Sequence, residues 1–346
     1  MEHMDIFNDD AFSLVNMVAA INNVDHVPGR AGELAFAGVG EGVTTRTVTI
    51  ESVGESLTLI QTSAPGAPAP KNTQDKANLR AVSIPQIKLE ETIGAAQIQG
   101  VRAFGSPDLL RGAQSVVNGQ MAKETRRHDL TIEHHRLGAL KGVIKDADGS
   151  SLTDLFELFG IKNSGNVAGP EVFDLDLDGL ESETEDLRVK CQNIVRFIQR
   201  NAKTIIPSTA RVWAFCGDNF FDKLVSREDV KATYRNTAEQ ERRLGANYAF
   251  GVFEYGGIAW ENYRGTDDNA TVGIGTDEAR LFLTGVPGLY AEYFAPADFF
   301  ETVNTVGLPR YAKLALDQKF NRFVELHTQQ NPLPLCLRPK TLVKCI

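Results

Sequence analysis

Nowhere in this chain of 346 residues does an apolar run approach the ~18 residues that a membrane-spanning helix requires. The start, Met1-Glu2-His3-Met4-Asp5, has neither the basic segment nor the apolar core of a secretory signal. Cysteine is scarce: Cys191, Cys216, Cys336 and Cys345 stand apart, with no CxxC pair. Reduced thiols in a core are expected, rather than a disulfide framework. No long basic run occurs and the formal charge is −9, which argues against tight nucleic-acid binding through Lys and Arg. The expectation is a soluble, acidic protein made in the cytoplasm.

Catalytic signatures are missing too. Gly38-Val39-Gly40-Glu41-Gly42 and Gly273-Ile274-Gly275 miss the phosphate-loop spacings and the Gly-Lys-Ser/Thr that would hold a nucleotide. There is no Gly-x-Ser-x-Gly elbow, and no Ser or Cys stands near a His in a nucleophile setting. The many carboxylates sit in hydrophilic runs, with no apolar pocket to perturb them. No internal repeat is present.

What remains is ample material for a core, at 42% hydrophobic and 23% charged residues, and a distinctive order of parts. Residues 5–23 are partly helical in spacing, with Asp9 or Asp10 as the cap. From Gly38 to Ile60 the residues are β-branched and alternating, and Arg80 to Ile93 form a second such run, interrupted at Pro85. Between them, Gln61 to Asn78 contains Ala64-Pro65-Gly66-Ala67-Pro68-Ala69-Pro70 and has too little apolar content to fold alone. A long two-stranded arm with a loose tip is predicted.

Ser106-Pro107-Asp108 reads as a helix start, and the pattern runs to about Leu140, giving a strut roughly 50 Å long. Gly112, Gly119 and Gly138 interrupt it, and such glycines mark close approach of another backbone. Next come a hairpin from Val143 to Phe159 turning at Asp146-Ala147-Asp148-Gly149, a strand at Phe173–Asp178 and an amphipathic helix from Glu185 to Ala202. A strand at Arg211–Cys216, a helix from Phe220 to Thr233, strands around Gly256-Gly257 and one at Leu281–Leu283 follow. A projecting arm and a long strut are costly to order in an isolated subunit; they make sense if neighbouring copies cover them.

Two motifs suggest metals. Asp174, Asp176, Asp178, Gly179 and Glu185 match the acidic positions and glycine of a calcium loop. The upstream stretch Asn163 to Pro170 cannot supply its helix, however, and Glu181 replaces its apolar residue, so a strand with a wet aspartate face is expected. His128, Glu133, His134 and His135 lie on the long helix. The i, i+7 spacing of His128 and His135 is wrong for a zinc pair, and a solvated or intersubunit face is expected.

Several stretches then carry a resemblance. They are Ser106-Pro107-Asp108-Leu109-Leu110, Gly142 to Gly149, Phe173 to Leu177, Val212 to Phe221, Tyr255 to Tyr263, Ala279 to Phe282, Phe323 to Leu335 and the terminal strand at Val343. In this order the chain resembles tailed-phage major capsid proteins, specifically the lambda-type major capsid protein E family. The resemblance implies an α+β capsid fold: an N-terminal arm (1–37), an extended hairpin loop or E-loop (38–95), a peripheral domain with the spine helix (96–180), an axial α/β domain (181–335) and a C-terminal strand (336–346) returning to the peripheral domain.

It also implies a shell subunit that self-assembles into hexamers and pentamers around double-stranded DNA. Its partners would be a separate scaffolding protein, a portal and, in some shells, a decoration protein, with DNA enclosed without sequence-specific binding. An acidic wall would not hold that polymer down. No membrane partner, cofactor, metal or catalytic residue is implied. The product would reside in the virion after synthesis in the bacterial cytoplasm. Intersubunit candidates are Pro65, Pro68, Pro70, Lys71, Lys76 and Arg80 on the arm, with Arg126 and Arg127 on the spine. The alternatives are an encapsulin-like compartment, which would enclose protein cargo, and a cytosolic metal-dependent hydrolase using dispersed carboxylates or the Asp174 loop.

Overall fold

The computed structural model describes residues 12–22, 29–52, 78–98, 109–178, 186–234, 252–263, 265, 272–317, 319–320 and 322–346. Helix α1 (Leu14–Asn22) and helix α2 (Arg30–Ala35) precede strands β1 (Gly40–Gly42) and β2 (Thr47–Ser52). Strands β3 (Asn78–Ser83) and β4 (Ile87–Gly94) follow, then the short helix α3 (Ala95–Ile98) and the spine helix α4 (Leu109–Lys141). β2 and β3 pair antiparallel, Thr47 opposite Ser83 through Ser52 opposite Asn78. Val48, Ile50 and Val82 of this ladder are buried, because a period of two puts alternate side chains on the body. Pro85 falls between β3 and β4. The ladder is broken where a proline cannot donate, and the two halves join different sheets.

The hairpin β5 (Val143–Lys145) and β6 (Ser151–Asp154) turns at Gly149, whose φ is 85°. It runs into helix α5 (Leu155–Phe159), not into a longer strand. The Asp154 carboxylate accepts from Phe156 N at 2.8 Å and Glu157 N at 3.1 Å, an N-cap that ends the strand and opens the helix. Strand β7 covers only Glu171–Phe173. The alternation continues to Asp178 in sequence, but Asp176 takes φ 57° and its N–H binds Asp174 Oδ1 at 2.8 Å, ending the strand in a turn.

Helix α6 (Leu187–Ala202) buries Leu187, Cys191, Ile194, Ile198 and Ala202 along one stripe. Strand β8 (Arg211–Cys216) leads into α7 (Asp218–Ser226) and α8 (Glu228–Tyr234). These are two helices where one was expected: Arg227 takes ψ 134°, and Glu228 and Asp229 open a new first turn. Strands β9 (Val252–Tyr255) and β10 (Ile258–Asn262) are joined by Gly256 (φ 64°) and Gly257 (φ 85°), the left-handed pair that a two-residue hairpin demands. β11 (Ala279–Thr284), β12 (Tyr290–Phe294), β13 (Tyr311–Leu316), β14 (Phe323–Gln330), β15 (Pro332–Cys336) and β16 (Val343–Cys345) complete the chain.

Three larger sheets organise these elements. β7-β16-β11-β8-β10-β9 form a six-stranded mixed sheet, β13-β14-β4 an antiparallel one, and β1-β12-β15 a third. α6 and α7 bury their apolar faces in the main core with the six-stranded sheet. The β13-β14-β4 sheet packs on the first half of the spine helix, where Ala113, Val117 and Met121 meet Ile93, Ala312 and Leu326, with α1 on the same cluster.

The terminal strand is paired on both sides. β16 reaches β7 on one side, Val343 opposite Glu171. On the other it pairs with β11, Leu281 opposite Val343, so it is an interior strand of the body sheet. Its residues Val343 and Cys345 are buried, which an interior position requires. The β4–β14 and β16–β11 pairings cross the limits drawn from sequence at 95, 180 and 335. All four cysteines are free and buried, and burial pushes the Cys191 and Cys336 thiols up to about 12.

Candidate functional site

For a chain of this shape the functional surfaces are those that hold the arm and spine and those left uncovered. The arm root is fixed by charge. Arg46, just before β2, and Lys88 of β4 both bind Asp298, at 2.6 and 3.0 Å. Arg80 of β3 lies over the Phe159 ring at 5.6 Å, a cation–π contact inside the chain. The other arm candidates, Pro65, Pro68, Pro70, Lys71 and Lys76, lie outside the described residues, as does the predicted cap Ser106-Pro107-Asp108.

The spine helix holds the body through polar groups. Glu133 is buried and accepts from Ala31 N at 2.7 Å, Gly32 N at 3.2 Å and the Tyr263 hydroxyl at 3.0 Å. Its carboxylate thus caps the N-terminus of α2 from another element. A Cβ on Gly29 would fall 2.0 Å from the Glu133 carboxyl carbon, so glycine is required there for α2 to approach. One turn on, Arg136 forms a bidentate pair with Glu292 of β12 at 2.9 and 2.8 Å, both side chains buried. Asp129 binds Arg310 at 2.6 Å.

At the β14 contact, Thr328 donates to Glu124 at 2.5 Å, and His128 Nε2 lies 3.1 Å from the same hydroxyl. Because that hydroxyl proton goes to Glu124, the ring nitrogen is the donor to its oxygen. Burial raises the Glu124 carboxyl, which the Thr328 bond only partly offsets. Burial lowers His128 to about 4, aided by Arg310, and lowers His135 to about 4.

The histidine face is therefore neither solvated nor open to another subunit: His128 and His135 are each 1% exposed. Of the polar residues that suggested a wet face, Glu133 and His128 are matched by partners from distant elements, whereas His135 is enclosed with neither ring nitrogen hydrogen-bonded to the protein. Spacing could not reveal those partners, although a Glu, His and Arg recurring on one helical face was a signal.

The exposed stripe of the spine is Lys123, Arg126, Arg127 and Leu130. Arg126 and Arg127 stand there with no ion pair among the described residues. Of the spine glycines, Gly138 does meet another backbone, its notional Cβ 2.9 Å from Ile144 Cα, whereas Gly119 meets nothing within 4 Å.

Among its described residues the acidic motif does not gather a cation-binding set. Lys223 binds Asp178 at 2.8 Å and Lys190 lies 3.8 Å from Asp176, so two of its acids are already balanced. Glu185 is outside the described residues. No grouping of three His, Cys, Asp or Glu fit for a metal occurs among the described residues. A groove of about 390 Å³ between α6 and the β9–β10 hairpin has Arg188, Arg211 and Glu254 as its charged lining. Arg211 and Glu254 bind each other at 2.7 Å, an arrangement without a poised acid or base. No described helix is long and apolar enough to cross a membrane.

An α+β chain with a two-stranded arm, a 33-residue helix and a strand-rich body defines a class of shell-building proteins. One solved structure of that class, a prophage protein of E. coli CFT073 assigned as a capsid protein, matches with a TM-score of 0.58 and 14% identity, covering 94% of this chain and 96% of the other. The fold is that of tailed-phage major capsid proteins. A family model, phage major capsid protein E, matches residues 13–346, and the chain belongs to that family. The major capsid protein of Pseudomonas phage KPP10 is 25% identical over 355 residues, covering 96% of each chain. That of Salmonella phage Felix O1 is 23% identical, covering 78% of this chain and 79% of the relative.

Proposed function

We propose that this chain is the major capsid subunit of a tailed phage, assembling with copies of itself into the hexamers and pentamers of an icosahedral head around double-stranded DNA. The observation that carries this reading is end-to-end correspondence: arm, spine and body align as one unit over 96% of both chains with the KPP10 major capsid protein. The role is structural rather than catalytic. A separate scaffolding protein, a portal and, in some shells, a decoration protein would complete the assembly. The head belongs to the virion, and its subunits are made in the bacterial cytoplasm. The net charge of −9 suits a wall that encloses DNA without binding its sequence or retaining its backbone.

Within the subunit, residues 1–37 serve as the N-terminal arm, and the extended loop, 38–95, reaches over a neighbour. The peripheral unit, 96–180, is built on the spine helix. The axial unit, 181–335, carries α6, α7 and α8, and the terminal strand (336–346) returns to the peripheral unit, a reading supported by the pairing of β16 with β7. Arg126 and Arg127, on the uncovered stripe of the spine, meet an adjacent subunit, as do the arm-tip residues from Pro65 to Lys76.

The test is light scattering on the purified protein, with and without a co-expressed scaffold, and negative-stain images of what elutes early. Closed shells, tubes or five- and six-membered rings are expected; a particle that stays monomeric or dimeric under all conditions overturns the reading. Deleting residues 61–78 should leave a folded subunit with an unchanged unfolding transition while shell yield falls at least tenfold. Normal shells from that deletion would remove the arm from the argument.

A further inference from the structure

We infer that the loop from Phe299 to Leu308, between β12 and β13, is a preformed contact surface for a second copy of this chain, with Phe300 at its centre; this rests on the assembly reading above. The loop exposes an unusual amount of apolar surface. Phe300 is 96% exposed, Val303 61%, Val306 59% and Leu308 42%. Single exposed apolar residues are ordinary, but four within nine positions form a patch. Together they offer on the order of 400 Å², about half of the ~800 Å² that each partner contributes to a standard interface.

The loop is held in shape while it shows this surface. Thr302 Oγ1 donates to Ala297 O at 2.8 Å and Thr305 Oγ1 to Thr302 O at 2.8 Å. Leu308 N donates to the Tyr311 hydroxyl at 2.8 Å. Asn304 adopts the left-handed φ of 58°. Gly307 is wedged so closely that a Cβ would lie 1.9 Å from Phe294 O, and its N–H binds Val43 O at 2.9 Å. A rigid apolar ridge loses little conformational freedom on binding, which is the property of a contact anchor.

Two observations identify the occupant. The charges around the ridge are already matched within the chain: Arg46 and Lys88 on Asp298 at 2.6 and 3.0 Å, and Lys313 on Glu301 at 2.6 Å. Lys313 also lies 5.1 Å over the Phe299 ring. None of these cations is left unpaired, so the surround suits an apolar protein surface better than a phosphate backbone. Second, the Gly307–Val43 bond ties the ridge to the root of the arm, so a copy that is overlaid by the arm is brought to the ridge. In a ring such a contact is heterologous, the ridge of one copy meeting a different surface of the next.

Because the four native cysteines are buried, Phe300→Cys introduces one exposed thiol. Its rate of maleimide labelling is measured in dissociated subunits and in assembled shells, beside shell yields for Phe300→Asp and Val303→Asp. Labelling at least tenfold slower in shells is expected, with at least tenfold fewer shells from either Asp variant and unfolding midpoints within about 2 °C of wild type. Folded Phe300→Cys subunits that fail to assemble count for the ridge as well. If Phe300→Asp unfolds, the yield is read from Val303→Asp. Equal labelling in subunits and intact shells, or normal shells from both Asp variants, overturns the ridge and leaves the capsid reading standing. Wild-type protein that never assembles overturns both.

Discussion

His135 is enclosed by the fold with neither ring nitrogen hydrogen-bonded to the protein, and burial holds it neutral down to about pH 4. Its folded-state affinity for protons is below that of the unfolded chain. Its contribution to stability is therefore complete above about pH 6.5 and is lost as pH falls from 6.5 towards 4. A shift of this size corresponds to about 3 kcal/mol. His135→Leu should flatten the fall in unfolding midpoint over that interval, as calorimetry between pH 4 and 7 would register; an unchanged slope would show that the ring does not titrate there. Arg136 and Glu292 pose the opposite case. Removing one partner, as in Glu292→Leu, leaves a buried guanidinium alone and should cost roughly 3–5 kcal/mol in urea unfolding. Arg136→Met added to that variant should recover most of the loss.

At the scale of elements, the spine glycines separate two effects. Gly119→Ala adds a methyl to open space and should stabilise the subunit by roughly 0.5–1 kcal/mol through helix propensity. Gly138→Ala gains the same propensity but drives its Cβ into Ile144 and the Val143 carbonyl, and it should lower the unfolding midpoint. Thermal melts of the two variants should move in opposite directions. Elements whose signals are local were readable from the chain: the Gly256-Gly257 turn, the break at Pro85, and the apolar stripe from Leu187 to Ala202. Helix α5 escaped because the turn at Asp146 to Gly149 pairs the whole of Leu152 to Phe159 with Val143 to Lys145 as a hairpin, although the apolar residues at 152, 155, 156 and 159 recur at helical spacing and Asp154 followed by Glu157 already spelled a cap. The burial of the spine's polar face was not readable, because Ala31, Glu292 and Thr328 are far from Glu133, Arg136 and His128 in sequence. The terminal strand's place beside β11 depends on non-local pairing in the same way.

For the whole molecule, the pairing of β4 with β14 has a consequence in time. Glu90 and His327, opposite each other in that sheet, are 237 positions apart. At ordinary translation speeds the first waits on the order of tens of seconds for the second to emerge. Throughout that interval β4 has an unmatched edge and Ile93 has no core to enter, and open strand edges invite association with other nascent chains. Closure over such long separations is also intrinsically slow. Production of this subunit in quantity should thus depend on chaperone capacity, and the yield of soluble protein should respond to growth temperature and translation rate more steeply than its equilibrium stability alone would suggest.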